Sequence, residues 1–434
     1  MKPFTGHKRL TCHEWQRIPV GDGAGAVTPA EAKRLCRLAT VYAARLRCRP
    51  EDILARHHAH LKAGQICGVL AAPGVTLEIL PKLDFDGEDG RATLIHMLNV
   101  AHDLRIWSEG QAGFAPQSLD LLEVVILSFA RRLSDTLRNG LPRRYRTEAD
   151  DLPVLRGALD VKRQFTAHAV RPDRLACRFD ELTPDIPLTR TVAAAARMLV
   201  RRTALAATLT MLNDALDRMD GVGHNPDPLR ERVVLDRTNT AWHGLYRMAR
   251  LLLAGRSQSA RQGGDEGFAL LFPMNDLFEN YSAKLFRRAM GWRARIQARG
   301  KSVTTCGLFA LRPDILVETE CETLIVDTKW KRLTLSEDKA GVSQSDIYQM
   351  LAYGQGYGRS TAPTRLVLLY PAVAGQGTRI WRDWLVEGSG FALQVASLDL
   401  SPDPDGTRLG PLTDPGLMPN PIMERSMADV GKTV

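Results

Sequence analysis

RPDILVETECETLIVDTKWK, from Arg312 to Lys331, decides how this chain is read. ALRPDILVE and TLIVDTKW are short runs rich in aliphatic residues, joined by the polar TECE. Such a pair predicts two strands and a hairpin turn. With the turn centred between Glu320 and Cys321, Asp314 stands directly opposite Asp327, their Cβ atoms about 5 Å apart. Lys329 lies two positions beyond Asp327, so both point to the same side of the sheet. Ile315, Val317, Leu324 and Val326 take the other side and are expected to pack, leaving two carboxylates and an ammonium gathered together.

Two facing carboxylates repel each other and lose hydration, and a divalent cation relieves both costs. Hard oxygen ligands at a sheet edge suit Mg²⁺, with water and phosphate oxygens completing its shell. Such an ion lowers the pKa of a bound water and stabilises charge on a phosphate. A lysine beside it orients that water or offsets developing negative charge. The chemistry these residue types predict is phosphodiester hydrolysis, with Asp314, Asp327 and Lys329 catalytic and the two aspartates binding metal. The opposing reading is an exposed, salt-bridged hairpin, and acid-x-lysine triplets recur at Glu31, Asp160 and Glu337. Only the triplet at Asp327 ends an apolar run just after a second apolar strand.

Two helical patterns flank the hairpin. PMNDLFENYSAKLFRRAM carries an apolar stripe of Leu277, Phe278, Tyr281, Leu285 and Ala289, with Asn275 or Asp276 as the expected cap. Glu279 falls on the edge of that stripe, placed to serve as a further metal ligand. VSQSDIYQMLAYGQGY begins with Ser343 and Asp346 in capping-box spacing. Its Gln349 and Tyr353 share a face and suit a substrate backbone. TRLVLLYP, Thr364 to Pro371, predicts another buried strand.

Together these residues resemble the PD-(D/E)xK nuclease fold. Asp314 and Asp327-Thr328-Lys329 match its core motif, and Gln349 to Tyr353 matches the QxxxY extension of some branches. LEILPKL near Leu77, FPMNDLFENY near Phe272 and RPDILVE…LIVDTKWK…DIYQMLAYG resemble the McrC family, the nuclease subunit of the McrBC methylcytosine restriction system. The resemblance is strong in the last third and barely touches the middle. It implies cleavage of double-stranded DNA only with a hexameric AAA+ GTPase, McrB, which reads the modified base. It also implies an N-terminal domain that docks in that ring and stimulates nucleotide hydrolysis. The sequence has no GxxxxGK[ST] loop, so the motor is expected on a separate chain. Two rival functions follow from the same residues: a catalytically idle regulatory subunit of an AAA+ motor, and a stand-alone nucleic-acid-binding or repair nuclease.

The rest of the chain sets the frame. Its 434 residues suffice for two or three cores, and Lys plus Arg exceed Asp plus Glu by 58 to 49, a net +9 compatible with a polyanion partner. Seven cysteines with no CxxC pair, no signal-peptide core, and a longest apolar run of only Val124 to Ala130 predict a cytoplasmic protein without a membrane anchor. The expected class is α/β, with an α+β N-terminal part. The expected division is residues 1–145 for partner docking, 146–262 as a mainly helical middle, 263–400 as the nuclease with a central mixed sheet flanked by helices, and 401–434 as a poorly ordered tail. Within it, Thr28 and Glu31 predict a capping box ahead of a helix to Leu46, Pro73-Gly74 a turn between two strands, and Tyr145 to Phe165 a connection into a short strand. Thr189 to Met219 predicts a helical block, and Gly255 to Gly267 a linker. The triplet of His57, His58 and His60 does not converge on a metal. Arg143, Arg144 and Arg146 suit either phosphates or a solvated turn.

Overall fold

The structure is a computed structural model that describes residues 8–82, 90–104, 106, 119–171, 173–255, 267–337, 339–372, 376–402 and 408–413. Most of the expected linker and tail lie outside them. The chain forms two compact units, one of residues 116–258 with 1–6, the other of 7–115 with 259–434. This differs from the division expected in sequence order. The helix at 121–138 groups with the middle region, and the first hundred residues share a unit with the hairpin.

The N-terminal part comprises β1 (Lys8–His13), β2 (Arg17–Pro19), α1 (Pro29–Leu46), α2 (Pro50–Ile53), β3 (Leu54–Arg56), β4 (His60–Ala63), β5 (Ile66–Ala72), β6 (Val75–Leu80) and α3 (Gly90–His102). The capping box forms: Glu31 N–H donates to Thr28 Oγ1, and Thr28 N–H to Glu31 Oε2. Below it α1 buries Leu35, Leu38, Ala39 and Tyr42 against β5 and β6. Gly74, at φ +83°, turns β5 into β6, a conformation that favours glycine.

The other unit holds α4 (Leu121–Arg138), β7 (Arg144–Leu152), β8 (Ala158–Leu159), α5 (Val161–Ala167), β9 (Leu175–Thr183), α6 (Pro187–Val200), α7 (Ala206–Arg218) and α8 (Thr240–Ala254). In place of the expected connection, β7 runs nine residues antiparallel to β9. RYRTEADDL is mostly solvated, so no apolar alternation announces it. The alanine-rich block is two helices rather than one. The break holds Thr203 and Ala204, which donate to the buried carboxylate of Glu123. Arg144 pairs with Asp236, and Arg146 with Glu148 and Asp185.

The chain then returns through β10 (Phe268–Pro273), α9 (Met274–Met290), β11 (Ala294–Ile296), β12 (Lys301–Ser302), β13 (Ala310–Leu311), β14 (Ile315–Glu318), β15 (Thr323–Thr328), α10 (Gln344–Tyr357), β16 (Thr364–Pro371), β17 (Arg379–Leu385), β18 (Ala392–Leu398) and α11 (Gly410–Thr413). β10 pairs antiparallel with β5, completing the sheet β1-β6-β5-β10. The six-stranded sheet runs β11-β14-β15-β16-β18-β17, with β15, β16 and β18 mutually parallel. β16 is buried throughout, as a central strand covered on both faces must be. Met274 lies at the start of α9 beside Pro273; Asn275 and Asp276 sit inside its first turn and make no cap, contrary to expectation. Of the expected α9 stripe, Leu277, Phe278 and Tyr281 are buried, but Phe286 replaces Ala289, which is exposed. Among the described residues no helix is long and apolar enough to cross a membrane.

A candidate active site at the end of the hairpin

The hairpin has the register its residues required: Ile315 opposes Val326 and Leu316 opposes Ile325. One step further, Asp314 just precedes β14 and meets the end of β15. Its Oδ2 accepts from the Thr328 backbone N–H at 2.8 Å and from Thr328 Oγ1 at 2.7 Å. Both faces of the hairpin pack, which corrects the expectation of one polar face. Leu316 and Ile325 share the side of the carboxylates and join Met350 and Tyr353 of α10 in a core. The charges therefore occupy only the last turn of the pleat, at the carboxyl end of parallel β15. In open α/β sheets that edge is where ligands bind.

The other predicted residues converge there. Lys329 Nζ stands 2.6 Å from Asp327 Oδ2 and 3.6 Å from Asp346 Oδ1. It donates to Gln349 Oε1 at 3.0 Å; Gln349 Nε2 donates to Tyr353 Oη at 2.8 Å, and Tyr353 Oη to the Arg312 carbonyl at 3.1 Å. The α10 capping box, Ser343 with Asp346, fixes where this face begins. Gln349 and Tyr353, expected to meet substrate, are here engaged with Lys329 and with the backbone beside Pro313. Glu279 accepts from Gln297 Nε2 at 2.6 Å, and Gln297 also bonds the Arg312 guanidinium.

Electrostatics mark the cluster. Burial, then the charge of Asp314, pushes Asp327 up to about 6. Burial also raises Asp314, against the opposing pull of the Thr328 N–H and hydroxyl. Glu279 is raised by burial and next by Asp314. Burial works against the Lys329 ammonium, yet Asp327, Asp346 and Asp314 hold its pKa above the ordinary lysine range. Among the described residues no three His, Cys, Asp or Glu side chains are assembled around an ion position. The fit to a hard cation rests instead on Asp327. This residue is 2% exposed, and among the described residues its Oδ2 is met only by the Lys329 ammonium at 2.6 Å. A buried carboxylate with a single cationic partner keeps lone pairs that suit an oxygen-seeking cation.

Some contributors carry no sequence signal for this site. Trp330 lies in the quoted stretch, where the apolar pattern marks it only as strand. Its indole Nε1 donates to Glu14 Oε2 at 3.1 Å, its carbonyl accepts from Gln65 Nε2 at 2.7 Å, and its ring lies 5.6 Å from Phe278. Gln297 sits in a run without periodicity, and Glu14 is 316 positions from Trp330. A contact over that distance leaves no trace in a single sequence.

The profile of a family described as McrBC 5-methylcytosine restriction system component matches residues 61–371. The chain belongs to the McrC family. McrC-family membership accounts for the likeness of the three sequence segments. Among solved structures, a half-complex from a tetradecameric assembly of Thermococcus gammatolerans McrB AAA+ hexamers with bound McrC is similar over 92% of this chain and 97% of that one, at 20% identity and a TM-score of 0.69. The T. gammatolerans McrBC complex is similar over 65% of this chain and 88% of that one, at 23% identity and a TM-score of 0.52. These likenesses establish the fold. No curated protein matches the sequence.

Proposed function

We propose that this chain is the nuclease subunit of a modification-dependent restriction system, a Mg²⁺-dependent endonuclease of PD-(D/E)xK type that cuts double-stranded DNA in the cytoplasm. The observation that carries this is the meeting of Asp314, Asp327 and Lys329 at one sheet edge, with the lysine at 2.6 Å from Asp327. Asp314 and Asp327 would hold the cation, and Glu279, which feels the charge of Asp314, is the further ligand we propose. When bound, it would polarise the scissile phosphate and lower the pKa of a water. Lys329 orients the attacking water and offsets charge growing on the phosphate. Gln349 fixes the Lys329 ammonium. Tyr353 anchors the Arg312 carbonyl, and so the peptide leading to Asp314; we assign both to positioning rather than to direct substrate contact.

By likeness to the McrBC assemblies, the partner is a McrB-like AAA+ hexamer. From the family resemblance we propose in addition that this partner is a GTPase, reads the methylated base and has its hydrolysis stimulated by this chain. The test is a cleavage assay with both proteins on methylated and unmethylated duplexes in Mg²⁺. Lys329→Ala is expected to lower the cleavage rate by about 10²–10³-fold, the scale of losing one transition-state charge contact. Asp327→Asn or chelation by EDTA is expected to abolish cutting, while partner binding survives. Undiminished cutting by Lys329→Ala would overturn the assignment. Stimulated nucleotide hydrolysis with intact DNA, in both Mg²⁺ and Mn²⁺, would make the chain a regulatory subunit instead.

A further inference from the structure

Between Glu279 and Asp314 lies a segment of one sign. Residues 280–313 contain eight Lys and Arg and no Asp or Glu, so nearly all of the +9 resides in 34 residues. The other 400 positions are close to neutral, with fifty basic residues against forty-nine acidic. All eight cations are exposed. The helix dipole accounts for Arg287 and Arg288 in the last turn of α9. It does not account for Arg293, Arg295, Arg299 and Lys301, which follow on short strands and loops.

These residues line a shape. A groove of about 640 Å³ is walled by Arg287, Trp292, Arg295 and Arg299, and Gln297 forms part of its lining. Gln297 ties the groove to the candidate site: its side chain donates to Glu279, its backbone N–H donates to the Asp314 carbonyl at 2.8 Å, and Arg312 donates to its side-chain oxygen. Arg295 is ion-paired with Glu318. Arg287 and Arg299 have no ion pair among the described residues. Trp292 is 86% exposed, with the Arg293 guanidinium 5.7 Å from its ring. An indole so exposed, between two arginines without ion pairs among the described residues, buries little surface for folding.

We infer that the groove walled by Arg287, Arg295, Arg299 and Trp292 is the track along which the DNA backbone reaches the acid pair. The guanidinium groups meet successive phosphates, and Trp292 packs on a sugar or base at the rim. This deepens the nuclease reading, since the groove leads to Glu279 and Asp314, but binding there needs no cation and no cleavage.

The test is therefore run in EDTA, with the full chain and a fluorescently labelled duplex of about 30 base pairs, across a series of salt concentrations. The Arg287→Gln/Arg299→Gln double variant is expected to weaken binding about tenfold or more. It should also make the slope of log affinity against log salt shallower by about 2, one for each lost phosphate contact. Trp292→Ala is expected to weaken binding with the slope unchanged. Arg232→Gln/Arg237→Gln, exposed in the other unit, removes the same charge and is expected to leave both quantities near wild type. No duplex binding by the wild type, or equal losses in the two double variants, would overturn the inference. A chain that binds through the groove yet never cuts when Mg²⁺ and the AAA+ partner are both supplied would retain it and refute the nuclease reading alone.

Discussion

Lys329 is the residue on which the site turns, because two carboxylates, Asp327 and Asp346, and one amide oxygen share its ammonium. Gln349 Oε1 is the neutral partner among them, at 3.0 Å. Removing it should let Lys329 settle between Asp327 and Asp346, away from a substrate phosphate. Gln349→Ala is expected to lower kcat about tenfold with little change in KM, since it removes no substrate contact. Tyr353→Phe deletes the Gln349 and Arg312 bonds together while keeping the ring in its core. The same kcat-weighted loss is expected for it in single-turnover cleavage. A rise in KM alone would return both residues to substrate binding. Asp314, Asp327, Lys329, Gln349 and Tyr353 are legible in the sequence alone, because each depends on spacing within one hairpin or one helix. Asp346 is legible only as a cap, and its distance to Lys329 depends on how α10 lies on the sheet.

At the level of elements, the central sheet is stapled beside the hairpin turn. Arg365 on β16 donates from Nε and Nη2 to Glu322 at 3.1 and 2.8 Å and from Nη2 to the Leu412 carbonyl at 2.9 Å, with both side chains buried. Removing one partner strands a buried charge, so Glu322→Ala is expected to destabilise the unit by about 3–5 kcal/mol. Replacing both with Met and Leu should cost much less. Thermal melts of the single and double variants check this, and equal losses would refute it. The sheet itself is readable from TLIVDT and TRLVLLYP. The β7–β9 ribbon is not, because solvated strands carry no period-2 pattern, and the split between α6 and α7 depends on a carboxylate from α4.

At the scale of the unit formed by 7–115 and 259–434, the N-terminal strands hold the end of β15. Glu14 accepts from the Trp330 indole and from the Lys82 N–H, and its other oxygen is buried without a partner among the described residues. Burial lifts Glu14 from near 4.5 to about 7, against those two bonds. The folded pKa is above the unfolded one, so its contribution is complete below about 4.5 and is lost as pH rises through 7. The wild type is expected to lose about 3 kcal/mol relative to Glu14→Gln between about pH 4.5 and 8, seen as diverging melting temperatures. Parallel curves would exclude it. Gln65→Ala, which frees the Trp330 carbonyl, is expected to slow cleavage severalfold without altering duplex binding in EDTA.

The sequence by itself determined the hairpin, its register, the pairing of Asp314 with the end of β15, and the helix carrying Gln349 and Tyr353. All of these follow from periodicities of two or 3.6 residues over short spans. Only the tertiary structure decided that β10 joins the N-terminal sheet, that Glu14 and Gln65 hold Trp330, and that the basic groove opens beside Glu279. The strand pairing and the Trp330 contacts join residues hundreds of positions apart, and the free energy that selects them comes from packing and desolvation, which no local pattern encodes.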